Sequence, residues 1–337
     1  MFVLLYLLLA TSLNADGNFD INSDDLSLSL MGNLEGRSII IKIKDKDGKK
    51  LGVFKPNSGS TLYRGEYASY KLAAMTGISD IYPPTQIECM NVGTQKKIRT
   101  LLAKNNFSTI KKEENRLTLL KEITRNIEKK VPLCGAYKVW INDLQFYYEM
   151  GTLDNLKKHS VFKYMLATGP QPPHKRTEIK QCTELVEPKG CYVGFGYADE
   201  MAKDMSSIML IDAVMGDSDR FPGGNVHFRS IDGNVVNRNN TFMFGRSRLF
   251  CLDNGAVLKP QDTTGLDTLK RSGISRFLKT VVLKLKELKD AKKEDVINEL
   301  KITPEEYEIF KSNLDQTVEY INKLEKRYKR KLYFLKN

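Results

Sequence analysis

The sequence predicts an α+β protein of two lobes, the first rich in strands and the second mainly helical. Three stretches predict it. Between residues 26 and 54 apolar and polar side chains alternate with period two around glycine-containing turn signals, the pattern of half-buried strands. Residues 94–130 form a lysine-rich block of helical composition, and residues 274–328 carry apolar stripes at helical spacing. These divide the chain into a leader (1–15), a first lobe (16–133) with 94–130 as an insertion, a hinge (134–142) and a second lobe (143–337). The 337 residues have room for one large two-lobed domain or two ordinary ones, and 41% hydrophobic with 28% charged residues is ordinary for a globular protein.

The formal charge of +12 suits an anionic partner: nucleotide phosphates, an acidic acceptor, nucleic acid or an anionic membrane surface. Aromatic residues do not interleave with the lysines of 94–130, which argues against stacking on nucleic acid. Met1–Ala15 has an apolar core followed by small and polar residues and reads as a secretory signal peptide, shorter than the roughly 20 apolar residues that span a bilayer. A secreted or lumenal protein (periplasmic if bacterial) follows, without a transmembrane anchor but open to peripheral contact with anionic lipid. Cys182 and Cys191 bracket an expected disulfide loop, whereas Cys89, Cys134 and Cys251 sit in apolar stretches and read as buried thiols. Asn106-Phe107-Ser108 and Asn239-Asn240-Thr241 are glycosylation sequons for a secreted chain.

In the first lobe, Leu26–Leu30, Ser38–Lys44 and Leu51–Phe54 read as strands, with Asp47-Gly48 marking a hairpin. Gly32 and Gly36 turn the chain two strands ahead of Lys55, where a flap over a nucleotide would sit. Lys55 closes an apolar strand, and a lysine there must find an anion or reach water. Tyr63–Gly77 reads as a helix whose packed stripe at Glu66, Tyr70 and Ala73 is interrupted by an acid, so Glu66 is the expected partner of Lys55. Tyr82–Thr85 is a rigid turn before a strand over Gln86–Met90. Leu101, Leu102, Leu117, Leu119 and Leu120 are the expected anchors of the insertion. Pro132–Asn142 is an apolar strand carrying Trp140, the only tryptophan, between the two halves, where it reads equally as a core residue or as part of a hinge whose backbone would contact adenine.

The second lobe opens with an irregular, proline-containing stretch over 151–190. A helix over Tyr197–Met215 follows, in which Asp212 reads as a structural carboxylate. Gly216-Asp217-Ser218-Asp219-Arg220 then places two carboxylates before the Val226–Phe228 strand. Asp219 is the expected base for a substrate hydroxyl, Arg220 suits a structural or phosphate-facing role, and Asn225 offers a neutral hard oxygen for magnesium. A strand over Leu249–Leu252 delivers Asp253 to Asn254-Gly255, the expected metal carboxylate. Residues 259–273 read as a mobile segment, and the remainder as helices over Ile274–Leu288, Glu294–Leu300 and from a capping box at Thr303-Pro304-Glu305-Glu306 onward.

Five segments occur in one order: Val53-Phe54-Lys55-Pro56, Arg64-Gly65-Glu66-Tyr67-Ala68-Ser69-Tyr70-Lys71-Leu72, Tyr82-Pro83-Pro84-Thr85, Gly216-Asp217-Ser218-Asp219-Arg220 and Leu252-Asp253-Asn254-Gly255. Together they resemble the secreted, four-jointed and Golgi casein-kinase-like atypical kinases, and more distantly type II phosphatidylinositol 4-kinases and HipA-type kinases. The resemblance implies a protein-kinase-like fold, ATP, Mg²⁺ or Mn²⁺, and transfer to a protein or sugar hydroxyl in a secretory compartment. It implies that Lys55 grips phosphate, that Glu66 pairs with Lys55 or helps hold metal, that Asp219 is the base and that Asp253 holds metal. Asn225 lies six residues after Asp219 where related kinases have five, and Phe221 replaces their histidine. The alternatives are a phosphatidylinositol-type lipid kinase, which a secretory leader would put on the wrong side of the membrane, and a pseudokinase acting as a binding or activating partner.

Overall fold

The computed structural model of the chain describes residues 19–31, 38–57, 62–107, 109–141, 145–147, 152–183, 190–217, 219–221, 226–233, 235–259 and 264–335. The leader, Gly32, Gly36 and Asn225 lie outside the described residues. The protein is α+β, built on two sheets with two hydrophobic cores.

The first sheet is antiparallel, in the order β1 (Ser27–Leu30), β2 (Ile41–Lys44), β3 (Lys50–Pro56), β5 (Leu133–Val139), β4 (Thr85–Met90). Alternation decides its faces: Ile41, Ile43 and Phe54 are buried in one core with Met90 and Tyr137, while Lys55 points to the other face. Helices α2 (Val92–Lys104) and α3 (Ile110–Lys129) supply Ile98, Leu102, Leu119 and Ile123 to that core, so the basic insertion is a folded pair of helices. Of its expected anchors only Leu102 and Leu119 are fully buried. Leu101 and Leu120 are half-buried and Leu117 is exposed, because the 3.6-residue period selects Leu119 and Ile123.

Helix α1 (Tyr63–Met75) packs on β4 and β5, yet its Ala68, Leu72 and Ala73 belong to the second, larger core. That core also takes in α5 (Ala198–Met215), whose residues are buried on nearly every side. The second sheet runs β6 (Gln145–Tyr147), β9 (Val226–Ser230), β11 (Thr241–Cys251), β8 (Gly190–Tyr197), β7 (Arg176–Thr183), with β10 (Val236–Arg238) also paired to β11. The second half is thus less purely helical than its sequence predicts.

Three expectations are corrected here. The stretch over 151–190 contains helix α4 (Leu153–Lys158) and strand β7, an edge strand so polar that period two is faint in it. Residues of the expected mobile segment form α6 (Thr264–Ser272), which packs against α5. A Cβ on Gly265 would lie 2.2 Å from the carbonyl oxygen of Asp212. The next helix, α7 (Lys279–Lys289), starts five residues later than expected. Arg276 explains the delay, since its buried guanidinium donates to the carbonyls of Tyr164, Pro170 and Gly169 at 2.8, 2.5 and 2.7 Å and keeps 274–278 out of helix. Helices α8 (Lys293–Leu300) and α9 (Pro304–Tyr328) complete the core, the latter entered through the expected capping box, with Thr303 and Glu306 bonding reciprocally at 2.7 and 3.1 Å.

Cys182–Cys191 is a disulfide as expected. Cys89 and Cys134, expected as thiols, form a second, because β4 and β5 pair in a register that sets them directly opposite. Cys251 is a buried free thiol. Among the described residues no helix is long and apolar enough to cross a membrane. Two disulfides are compatible with a secreted protein.

Candidate active site

The register of the first sheet sets up the site. Val53 lies opposite Lys138 and Lys55 opposite Ala136, so Lys55 and Lys138 share one face on adjacent strands. That face meets α1, from whose first turn Glu66 projects into the sheet. Lys55 is 3% exposed, Lys138 5% and Glu66 0%. The Lys55 ammonium donates to Glu66 Oε1 at 2.5 Å, and the Lys138 ammonium pairs with Oε2 of the same carboxylate. Glu66 Oε2 also accepts the backbone N–H of Asn254 at 2.9 Å. Both carboxylate oxygens are therefore engaged by the protein, which favours an ion-pairing role for Glu66 over a metal-ligating one.

The third contributor arrives from the far end of the chain. Strand β11 ends at Cys251, and Asp253 follows with a left-handed φ of +54°, a conformation that aspartate tolerates better than most side chains. This turn sends the Asp253 carboxylate to Lys55, Oδ1 lying 2.5 Å from Nζ, across 198 residues of sequence. Asp253 is the solvent-facing member of the cluster, with its side chain 40% exposed. The turn is seated on α1: Leu62 N–H donates to the Gly255 carbonyl at 3.0 Å, and a Cβ on Gly65 would lie 2.4 Å from Val257 Cγ2. Gly65 thus permits the close approach that puts Glu66 beneath Asn254.

The 216–221 loop hangs from the same turn. Helix α5 ends in a left-handed Gly216, and Asp217 N–H returns to the Asp212 carbonyl at 2.9 Å. Arg220, 2% exposed, donates to both oxygens of Asp212 at 3.0 Å, to Asp217 Oδ2 at 3.2 Å, to Asn254 Oδ1 at 2.6 Å and to the Leu252 carbonyl at 3.1 Å. Asp217 Oδ1 accepts the Asp219 N–H at 2.8 Å. Of the two loop carboxylates, Asp217 is therefore the buried organiser and Asp219 the half-buried one. Arg220 is structural, and Asp212 is its partner rather than a ligand for loop backbone.

Burial opposes charge on Lys55, but the carboxylates of Asp253 and Glu66 outweigh it and hold its pKa above the ordinary lysine value. Burial likewise opposes ionisation of Glu66, and Lys138 and Lys55 together overcome it, leaving Glu66 well below the usual carboxylate range. Lys138 differs: burial holds its pKa below the ordinary value despite Glu66. Burial pushes Asp217 up to about 7 and raises Asp212, each against the pull of Arg220.

Sequence reasoning brings Lys55, Glu66, Asp219 and Asp253 into one cleft; the structure joins Lys55, Glu66 and Asp253 directly, whereas Asp219 is linked to them only through its loop, whose Arg220 is bonded to Asn254. Sequence reasoning misses Lys138, whose only signal is a charged residue inside the otherwise apolar run Cys134–Val139. Trp140 directly follows β5. Its N–H is taken by the Leu51 carbonyl at 2.8 Å and its ring lies beneath Lys50 and Lys42, at 4.6 and 5.7 Å, so that N–H has no part in a ligand contact. Among the described residues no group of three or more His, Cys, Asp or Glu gathers to hold a metal ion. The hard, partly exposed carboxylate of Asp253 nonetheless suits Mg²⁺ or Mn²⁺, since a nucleotide-borne metal draws most of its ligands from phosphate and water. No family model matches the chain, and no curated protein matches it in sequence.

Proposed function

We propose that the chain is an ATP- and metal-dependent phosphotransferase with a two-lobed, kinase-like architecture. It acts in the secretory pathway or extracellular space and transfers the γ-phosphate to a protein Ser/Thr or glycan hydroxyl. The observation that carries this reading is the meeting of Lys55, Glu66 and Asp253 from three distant segments, beside a loop whose Arg220 is bonded to Asn254. Phosphoryl transfer asks mainly for positioning and charge neutralisation. Lys55, held upright by Glu66, presents a buried cation to the nucleotide phosphates. Asp253, with Asn225 as second donor, would hold the divalent ion, which would neutralise phosphate charge. Asp219 accepts the proton of the acceptor hydroxyl. The leader and the disulfides favour protein or glycan over cytosolic inositol lipid as acceptor.

The test has two stages. Thermal melts with ADP or ATP, with and without Mn²⁺, should show a metal-dependent upward shift that Asp253→Asn abolishes. The asparagine tolerates the left-handed turn, removes the charge and replaces one acceptor oxygen by an amide NH2. Mass spectrometry of secreted protein and glycan pools incubated with ATP should then detect added phosphate, which Asp219→Ala eliminates while retaining the thermal shift. Full turnover by Asp219→Ala would remove that residue as the base, and a wild-type protein indifferent to nucleotide would end the phosphotransferase reading.

A further inference from the structure

Lys138 has no counterpart among the residues that the phosphotransferase reading requires. It is nevertheless buried, charged and bonded to the centre of the site. Its strand is fixed on both flanks, Lys138 lying opposite Val53 of β3 and Thr85 of β4, and the Cys89–Cys134 bridge joins β5 to β4 further along. Its side chain therefore has one destination, the Glu66 carboxylate.

The charges at the site explain what a second lysine does. Lys55 and Lys138 face Glu66 and Asp253, two cations and two anions, with Lys55 shared between both carboxylates. At Asp253 the oxygen that now holds Lys55 is also the one that would hold a metal ion, and polyphosphate would offer the lysine a new partner. Were Lys55 the only cation near Glu66, its charge would be bound to the protein at the moment the phosphates need it. A buried carboxylate stripped of its partner is costly.

Resting on the phosphotransferase reading, we infer that Lys138 is a positioning residue: it keeps Glu66 compensated and fixed, so that Lys55 can pass from Asp253 to the nucleotide phosphates. Lys138 and the Asn254 N–H occupy one oxygen of Glu66 throughout, and Lys55 pivots on the other. Lys138 acts through Glu66 and does not touch phosphate.

A double-mutant cycle with Mn²⁺·ADP as the probe tests this, using Lys138→Met, Glu66→Gln and the pair in the full chain. Dissociation constants are measured well below each variant's melting midpoint, and the midpoints are recorded alongside. Lys138→Met is expected to weaken Mn²⁺·ADP by at least about tenfold, whereas adding Lys138→Met to Glu66→Gln should change affinity by less than about threefold. If Lys138→Met weakens binding tenfold in both backgrounds, the lysine grips phosphate directly and the inference fails. If it lowers only the melting midpoint and leaves affinity unchanged, its role is packing alone and the inference again fails. Absence of Mn²⁺·ADP binding by the unaltered protein would overturn the phosphotransferase reading and this inference with it, an outcome visible before any variant is made.

Discussion

Replacing Arg220 by methionine removes one guanidinium and exposes how the 216–221 loop is held. In the intact protein Arg220 faces two buried carboxylates, and burial already pushes Asp217 up to about 7. Without Arg220, Asp212 must also take up a proton to remain in its dry site. Holding an aspartyl group protonated at pH 7, about three units above its unfolded pKa, costs ~4 kcal/mol. Asn254 Oδ1 and the Leu252 carbonyl each lose a donor, adding about 1 kcal/mol apiece at most. The total is about 4–6 kcal/mol, taken from these two principles. With an unfolding entropy of ~2.1 cal/mol/K per residue, 337 residues give ~0.7 kcal/mol/K, so the melting midpoint should fall by about 6–9 °C at pH 7.

The sign of the pH dependence discriminates this account from lost packing. A carboxyl whose folded pKa is raised contributes stability that is full below the unfolded pKa and is lost as pH rises through the folded one. The variant carries one such proton more than the wild type, so its deficit grows with pH by ~1.4 kcal/mol per unit. Lowering the pH from 7 to 5 should therefore narrow the gap between the two melting midpoints by about 4 °C. Paired thermal melts at pH 5, 6 and 7 read this directly. A gap that stays constant with pH, or one below about 2 °C at pH 7, would refute the reasoning.

Gly65→Ala should destabilise the protein even though alanine favours helix by up to about 1 kcal/mol, because its Cβ would meet Val257 Cγ2 at 2.4 Å. Val257→Ala in the same chain should recover part of the loss in a thermal melt, and an additive pair would show that the contact is unimportant. Cys89→Ser combined with Cys134→Ser opens a loop of sequence separation 45 and should lower stability by about 2–4 kcal/mol in denaturant titrations. The same double variant should also melt identically with and without reductant once the Cys182–Cys191 contribution is subtracted through its own serine pair.

Much of this site can be read from the chain because its members break local rules. Lys55 at the end of a buried strand and Glu66 in a helix's packed stripe both require an opposite charge, and each supplies the other's. Asp253 follows from the short apolar strand that leads to Asn254-Gly255. Lys138 escapes because its partner is the one already assigned to Lys55; only the β3–β5 register, a tertiary fact, puts both lysines on one face. The Cys89–Cys134 bridge is hidden for the same reason, since the cysteines are 45 positions apart and two helices intervene between strands that finally lie side by side. Strand β7 and helix α6 escape for a different one. Each is polar along much of its length and owes its conformation to a neighbour, β8 for the strand and α5 for the helix.

Helix α1 belongs to both halves of the molecule: Ala68, Leu72 and Ala73 are buried in the larger core, while Glu66 is locked between lysines of the opposite sheet. A rod mortised into two walls cannot swing. Rotating the glutamate away would disturb the larger core and strand the Lys55 and Lys138 ammonium groups in the other wall. On the phosphotransferase reading, control would fall to the outer, wetter side of the site, where the Asp253 carboxylate faces solvent and a docked metal ion would compete for its lysine.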